Sequence, residues 1–162
     1  MGTESSAVDG CAEPEVDGAM QSDGVPTVVF LCTHNAGRSQ MALGWFTHLA
    51  GGRAVGVSGG SQPASGLHAA AVGAMAEVGI DISAQSPAAW TPEMLGAADV
   101  VITMGCGESC PVVPGVRYED WEVEDPAGKS LADVRPIRDE IERRVRGLLA
   151  RMGIENTANT AR

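Results

Sequence analysis

The chain has 162 residues, with 11 basic side chains against 21 acidic ones and a net charge of −10. That length suits one domain with a real core, and the acidity argues against a nucleic-acid partner, which would call for a basic face. No apolar run nears the ~18 residues that span a membrane.

Residues 1–24 carry Gly, Ser, Asp and Glu without apolar periodicity and read as a disordered acidic tail. Glu4, Asp9, Glu13, Glu15, Asp17 and Asp23 lie there, and no Lys or Arg precedes Arg38. Such a start reads as neither a secretory signal nor a transit peptide, and a cytoplasmic location is the expectation. Cys11 sits in this tail with no positive charge nearby to activate it. One domain is expected over 25–155, with a short C-terminal tail at 156–162.

From Thr27 the chain reads as a strand ending at Cys32. Five residues separate Cys32 from Arg38, Ser39 follows, and a helix begins with Met41, Trp45, His48 and Leu49 at core-facing spacing. His48 reads as a boundary residue of that helix rather than a ligand. A Cys-x5-Arg-Ser loop between strand and helix makes an anion cradle. Its backbone N–H groups and the helix dipole favour negative charge at one point, and the same field favours a thiolate at Cys32. Arg38 adds a planar fork of donors for a tetrahedral oxyanion. Thr33, His34, Asn35, Ala36, Gly37 and Arg38 are therefore the expected oxyanion-binding residues, with Cys32 as nucleophile. Alone, the cysteine would read as a small buried hydrophobe and the arginine as a surface charge; their joint spacing decides. The loop is no Walker motif, since it lacks the Gly-Lys-Ser/Thr ending. Ser39 either holds the Cys32 sulfur or caps the helix.

A second strand is expected over Arg53–Ser58, closed by Gly59-Gly60-Ser61-Gln62-Pro63. A helix from about Leu67 to Val78 follows, with Ala71, Met75 and Val78 on one face and Gly79 as its left-handed stop. Thr91-Pro92-Glu93 is a helix start with threonine as N-cap. Asp99–Met104 is the most strand-like run and should be central in the sheet.

Just beyond it come Cys106 and Cys110, with Gly105 and Gly107 flanking the first. Spaced by four, their Cα atoms could lie about 6 Å apart, within disulfide range. Two inert buried thiols, or half of a zinc site without its completing pair, are the other readings. Asp125 precedes Pro126, either as a turn or as an acid. The last helix runs from about Asp133 to Met152 on the stripe Val134, Ile137, Ile141, Val145, Leu148 and Met152, with Asp133 as N-cap and Pro136 in the first turn. Strands alternating with helices predict a doubly wound parallel α/β sheet flanked by helices, and in such sheets ligands bind beyond the carboxyl ends of the strands.

The run Cys32-Thr33-His34-Asn35-Ala36-Gly37-Arg38-Ser39-Gln40-Met41-Ala42 resembles the signature loop of arsenate reductases built on the low-molecular-weight tyrosine phosphatase fold. The resemblance extends from about Thr27 to Met152, through Ser58-Gly59, Gly79-Ile80-Asp81-Ile82-Ser83 and Glu124-Asp125-Pro126-Ala127-Gly128-Lys129. It implies the low-molecular-weight tyrosine phosphatase-like fold and thiol-dependent arsenate reduction linked to arsenical resistance. It also implies that Asp125 is the acid, that Asn35 and Ser58 support the loop, and that Cys106 and then Cys110 resolve the Cys32 sulfur, with thioredoxin reducing the final pair. Neither a metal nor a flavin is implied, because the electrons come from thiols. The two later cysteines are closer together than in the best-known members, and Cys106 falls about one residue later. Leu43 stands where the family has a carboxylate, which removes a ligand for a monovalent cation. The rival expectations are a phosphatase of the same fold, a reductase served by a small thiol such as mycothiol, and a non-catalytic oxyanion sensor.

Overall fold

The computed structural model describes residues 24–105 and 113–154. The two tails, Cys11, Cys106 and Cys110 lie outside the described residues. Strand β1, Thr27–Cys32, is buried from Val28 onward. That is why it reads as an unbroken apolar run rather than an alternating one. It pairs in parallel with β2, Val55–Gly60, and with β3, Val100–Met104. A fourth strand, β4, Arg117–Asp120, pairs in parallel with β3 and completes the order β2-β1-β3-β4.

Helices cover both faces. Val28, Phe30 and Cys32 face one core, shared with α1 (Arg38–Ala50), α2 (Ala69–Glu77) and α4 (Leu131–Arg151). Phe30 meets Phe46 edge-on at 5.4 Å and Trp121 at 6.1 Å in this layer. Val29 and Leu31 face a smaller core with Val101 and with Leu95 of α3 (Pro92–Gly96). The parallel α/β sheet expected from the sequence is therefore present, with the Asp99–Met104 run in an interior position. Among the described residues no helix is long and apolar enough to cross a membrane.

Several local expectations hold and others shift. Thr91 caps α3 by accepting from the Met94 N–H at 3.1 Å, and Gly79 is left-handed at φ 84°. The second strand lies two residues later than expected, because Gly59 and Gly60 continue it instead of turning. A Cβ at Gly59 would stand 3.0 Å from the Trp90 Cα, and one at Gly60 only 2.7 Å from the Thr33 carbonyl oxygen. These glycines mark close backbone approach within a strand, which a sequence cannot distinguish from a turn. Helix α4 starts earlier than expected: Ser130, not Asp133, is the N-cap, accepting from the Asp133 N–H at 3.3 Å. Pro136 accordingly sits past the first turn. The carbonyl that loses its partner there is that of Ala132, which is exposed, so water can take the bond. His48 is exposed rather than core-facing, while Met41, Trp45 and Leu49 are buried. Strand β4 has no counterpart in the expectations. Its residues Arg-Tyr-Glu-Asp suit a charged edge and carry no apolar signal.

Helices α2 and α4 are tied by one carboxylate. Glu77 accepts from Arg135 Nη2 at 2.7 Å and from Arg138 Nη1 at 2.9 Å, and Arg138 Nη1 also donates to the Ala74 carbonyl at 2.9 Å. The Arg135 hydrogen bond, aided by Arg138 and opposed by burial, holds the Glu77 carboxyl down at about 2 against an ordinary 4.5. A depressed carboxylate adds stability above its unfolded value and loses it as pH falls through the folded one. Glu77→Gln should therefore be less stable than the wild type at pH 5 and above, with the gap closing between pH 4.5 and about 2. Urea unfolding across that range checks this; a gap that stays constant would assign the loss to something other than the ion pair.

Candidate active site

Five carbonyls in a row are turned outward after Cys32. The Thr33 oxygen accepts from Gln62 N at 2.8 Å, His34 from Ala64 N at 2.9 Å, and Ala36 from His68 N at 2.9 Å. The Asn35 oxygen accepts from Gln40 Nε2 at 2.8 Å, and Gly37 from Met41 N at 2.9 Å. In a planar trans peptide the N–H points opposite to the preceding C=O. Anchoring these carbonyls from outside therefore turns the loop's amides toward its interior. Helix α1 adds its own. Its N-cap, Gly37, makes no side-chain cap, whereas α2, α3 and α4 are each capped by a side chain. The first-turn N–H groups of α1 thus remain available for an anion.

Asn35 holds this shape. It is fully buried and left-handed at φ 52°, a conformation that asparagine tolerates better than most residues. Its amide Nδ2 donates to Ser39 Oγ at 2.6 Å, and its Oδ1 accepts from Ala88 N at 2.9 Å. Its backbone N–H reaches Cys32 Sγ at 3.3 Å. Ser39 Oγ lies 2.9 Å from the same sulfur. Since the serine oxygen already accepts from Asn35, its own proton is left for Sγ. The Asn35 N–H and the Ser39 hydroxyl thus both contact a sulfur that is 2% exposed. Of the two roles expected for Ser39, contact with the sulfur is the one observed.

Arg38 is 8% exposed. Its Nη1 donates to the Val123 carbonyl at 3.3 Å, and its Nη2 lies 3.5 Å from Asp125 Oδ2. The other oxygen of Asp125 accepts from Ala127 N at 3.0 Å, the local Asp-Pro turn expected from sequence. Pro126 rests on the loop itself, since a Cβ at Gly37 would stand 2.7 Å from Pro126 Cγ. Gly105 rests on Arg38 at a backbone φ of 81°, where a Cβ would lie 2.2 Å from Nη1. Cys32, His34, Arg38, His68, Asp125 and Ala127 are among the residues that line a cavity of about 40 Å³, with no Phe, Tyr or Trp among the described residues of its walls.

Most of the expected site is thus brought together: Cys32, His34, Asn35, Ala36, Gly37, Arg38, Ser39 and Asp125. The Thr33 hydroxyl turns instead to the Gly105 carbonyl at 3.4 Å. Ser58 lies in β2 opposite Phe30, with no hydrogen bond to the loop among the described residues. Leu43 packs on β2, where a Cβ at Gly56 would meet its Cδ1 at 2.9 Å. Two parts of the site escaped sequence reasoning. Gln40 ties the loop to Ser86 O at 3.1 Å and accepts from Gln85 Nε2 at 2.6 Å, contacts across more than forty residues. His68, the N-cap of α2, also lines the cavity; asking what caps the Ala-rich helix would have singled it out.

Residues 27–158 match the family model described as low molecular weight phosphotyrosine protein phosphatase. The arsenate reductase 2 of Staphylococcus haemolyticus is 40% identical over 120 residues, covering 72% of this chain and 90% of that protein. A glutaredoxin arsenate reductase of Synechocystis is 39% identical over 128 residues, covering 77% of this chain and 97% of that protein. Among solved structures, the thioredoxin-dependent arsenate reductase of Corynebacterium glutamicum superposes with a TM-score of 0.70 at 41% identity over 80% of this chain. The chain spans only 62% of that protein's length. An arsenate reductase in its phosphate-binding state superposes with a TM-score of 0.68 at 35% identity, covering 78% of this chain and 98% of that one. With its signature loop built around Cys32 and its match running through both cores, the chain belongs to the low molecular weight phosphotyrosine protein phosphatase family.

Proposed function

We propose that this chain is an arsenate reductase, with Cys32 as nucleophile and the later thiols as its internal reductant. The single observation that carries the reading is the register of β1 on β3, which sets Cys32 directly opposite Met104. Gly105, the next residue, accepts from the Thr33 hydroxyl and packs on Arg38. Cys106 is the next residue in the sequence. Two thiols in the sequence directly after β3, Cys106 and Cys110, suit a reductase, which needs partners for its nucleophilic sulfur, better than a phosphatase, which needs none. The small cavity, about 40 Å³, also fits a bare inorganic oxyanion. The names of the relatives agree with both points.

Arsenate is held by the loop amides and the Arg38 fork. The Cys32 thiolate attacks arsenic while Asp125 gives a proton to the departing oxygen, which leaves as water. Arsenic(V) is now bonded to the Cys32 sulfur. The Cys106 thiolate attacks that sulfur, and the electron pair of the S–As bond passes to arsenic, releasing arsenite and leaving a Cys32–Cys106 disulfide. Cys110 then attacks Cys106, which frees Cys32 and leaves a Cys106–Cys110 disulfide. A thioredoxin dithiol reduces that pair and is itself oxidised. Thiol turnover of this kind belongs in a reducing compartment, which supports a cytoplasmic location.

Arg38→Lys keeps the charge and loses the fork, so kcat/KM for arsenate should fall by about tenfold or more; steady-state kinetics check it. Ser39→Ala removes one donor from the Cys32 sulfur, and the rate of Cys32 alkylation by iodoacetamide at pH 7 should fall by about tenfold. Multiple-turnover arsenate reduction with thioredoxin as sole electron source tests the relay. Cys110→Ser should complete one turnover and stall as a Cys32–Cys106 disulfide, visible by mass spectrometry. Cys106→Ser should fail earlier, with arsenic retained on Cys32. Normal cycling of Cys106→Ser with thioredoxin would end the relay. Cycling of both variants with mycothiol, or with glutathione and glutaredoxin, would assign the electrons to a small thiol instead. Full-rate phosphate-ester hydrolysis with arsenate acting only as an inhibitor would make the chain a phosphatase.

A further inference from the structure

His68 has no part in the chemistry above, yet it lines the same cavity as Cys32, Arg38 and Asp125. The residue is half-buried, and its other polar groups are already engaged, the carbonyl accepting from Ala71 N at 3.0 Å and Val72 N at 3.1 Å. Its backbone N–H donates to the Ala36 carbonyl at 2.9 Å, one of the bonds that turn the loop carbonyls outward. Its Nδ1 accepts from the Ala71 N–H at 3.4 Å, capping α2.

A cap needs only an acceptor, and Asn, Asp, Ser or Thr ordinarily supplies it. An imidazole brings more than that. A neutral ring whose Nδ1 accepts a hydrogen bond carries its proton on Nε2. Fixing Nδ1 at the helix end therefore leaves Nε2–H as the nitrogen that the ring can offer to the cavity. Among the described residues the other donors there are the loop amides, His34 and the Arg38 fork, and Arg38 is shared with the Val123 carbonyl and Asp125.

We propose that His68 is a second side-chain ligand of the oxyanion, donating from Nε2 to an oxygen of the bound substrate while Nδ1 holds the start of α2. This deepens the arsenate reading and rests on the cavity being an oxyanion site. In this role His68 sets affinity rather than nucleophilicity, because it acts on the anion and not on the Cys32 sulfur.

The two nitrogens can be separated by substitution. His68→Asn retains a capping acceptor near Nδ1 and removes the Nε2 donor. His68→Gln carries an amide nitrogen near Nε2 and weakens the cap. Calorimetric titration with inorganic phosphate, which needs no turnover, measures the anion contact alone. The expected result for His68→Asn is an unchanged thermal midpoint, phosphate affinity weakened by about tenfold, and a parallel rise in KM for arsenate with little change in kcat. His68→Gln should show the reverse, a lower thermal midpoint with phosphate affinity close to the wild type. Wild-type affinity in His68→Asn would overturn the proposal and leave His68 as a cap only. Failure of the wild type to bind phosphate would overturn it together with the oxyanion site. Wild-type protein that binds phosphate but does not reduce arsenate would remove the arsenate reading alone, and the comparison of variants would still decide the role of His68.

Discussion

The site depends on which way five peptide groups face. Every carbonyl from Thr33 to Gly37 accepts a hydrogen bond from outside the loop, so the amides are left on the inside. A backbone in that state is expensive to hold without partners, since unpaired buried carbonyls cost as much as lost hydrogen bonds. The partners come from well separated parts of the chain: the 62–68 segment supplies three, and Gln40 and Met41 of α1 supply the rest. The anion cradle is therefore a product of the whole β1-α1-β2 layer, pre-organised before any substrate arrives. Pre-organised donors are what make such a cradle effective, because no reorganisation is required as charge develops.

Charge is arranged around that cradle with the same economy. Arg38 is buried, but its partner Asp125 is half-exposed at 50%. Water screens such a pair, so its worth lies in geometry more than in stability. The contact keeps Asp125 beside Arg38, and Pro126 packs against Gly37 of the Cys32 loop. Glycine at 37 and 105 is thus required by what must approach it. One glycine admits a proline ring, and the other admits a guanidinium.

Support for the sheet comes from helices that are tied more firmly to each other than to the solvent-side loops. The α4 stripe of Val134, Ile137, Ile141, Val145 and Leu148 is buried in the main core. The Glu77 carboxylate, at the end of α2, joins that helix to the N-terminal part of α4 through Arg135 and Arg138. The loop can hold a left-handed asparagine because the layers beneath it do not give way; interiors packed at crystal-like density transmit strain rather than absorb it.

The Cys32–Arg38 loop between strand and helix, the parallel sheet and the apolar stripe of α4 were all legible in the sequence. Each is encoded locally, by a spacing of five, a run of buried strand residues or a helical period. The positions of Gly59 and Gly60 inside a strand, the charged edge strand β4, the cap at Ser130 and the roles of Gln40 and His68 were not. Local signals for them are weak or ambiguous: a glycine pair reads as a turn, a charged tetrapeptide reads as a loop, and a histidine before an alanine-rich helix reads as surface. What distinguishes them is the backbone or side chain that approaches from far along the chain: Trp90 at Gly59, the Thr33 carbonyl at Gly60, β3 beside β4, and the Ala36 carbonyl at His68. The sequence alone determined which chemical groups stand at which spacing in the loop, because they are written consecutively. Only the tertiary structure decided which way the loop peptides face and which distant groups hold them there, because a hydrogen bond between residues dozens of positions apart leaves no periodicity to read.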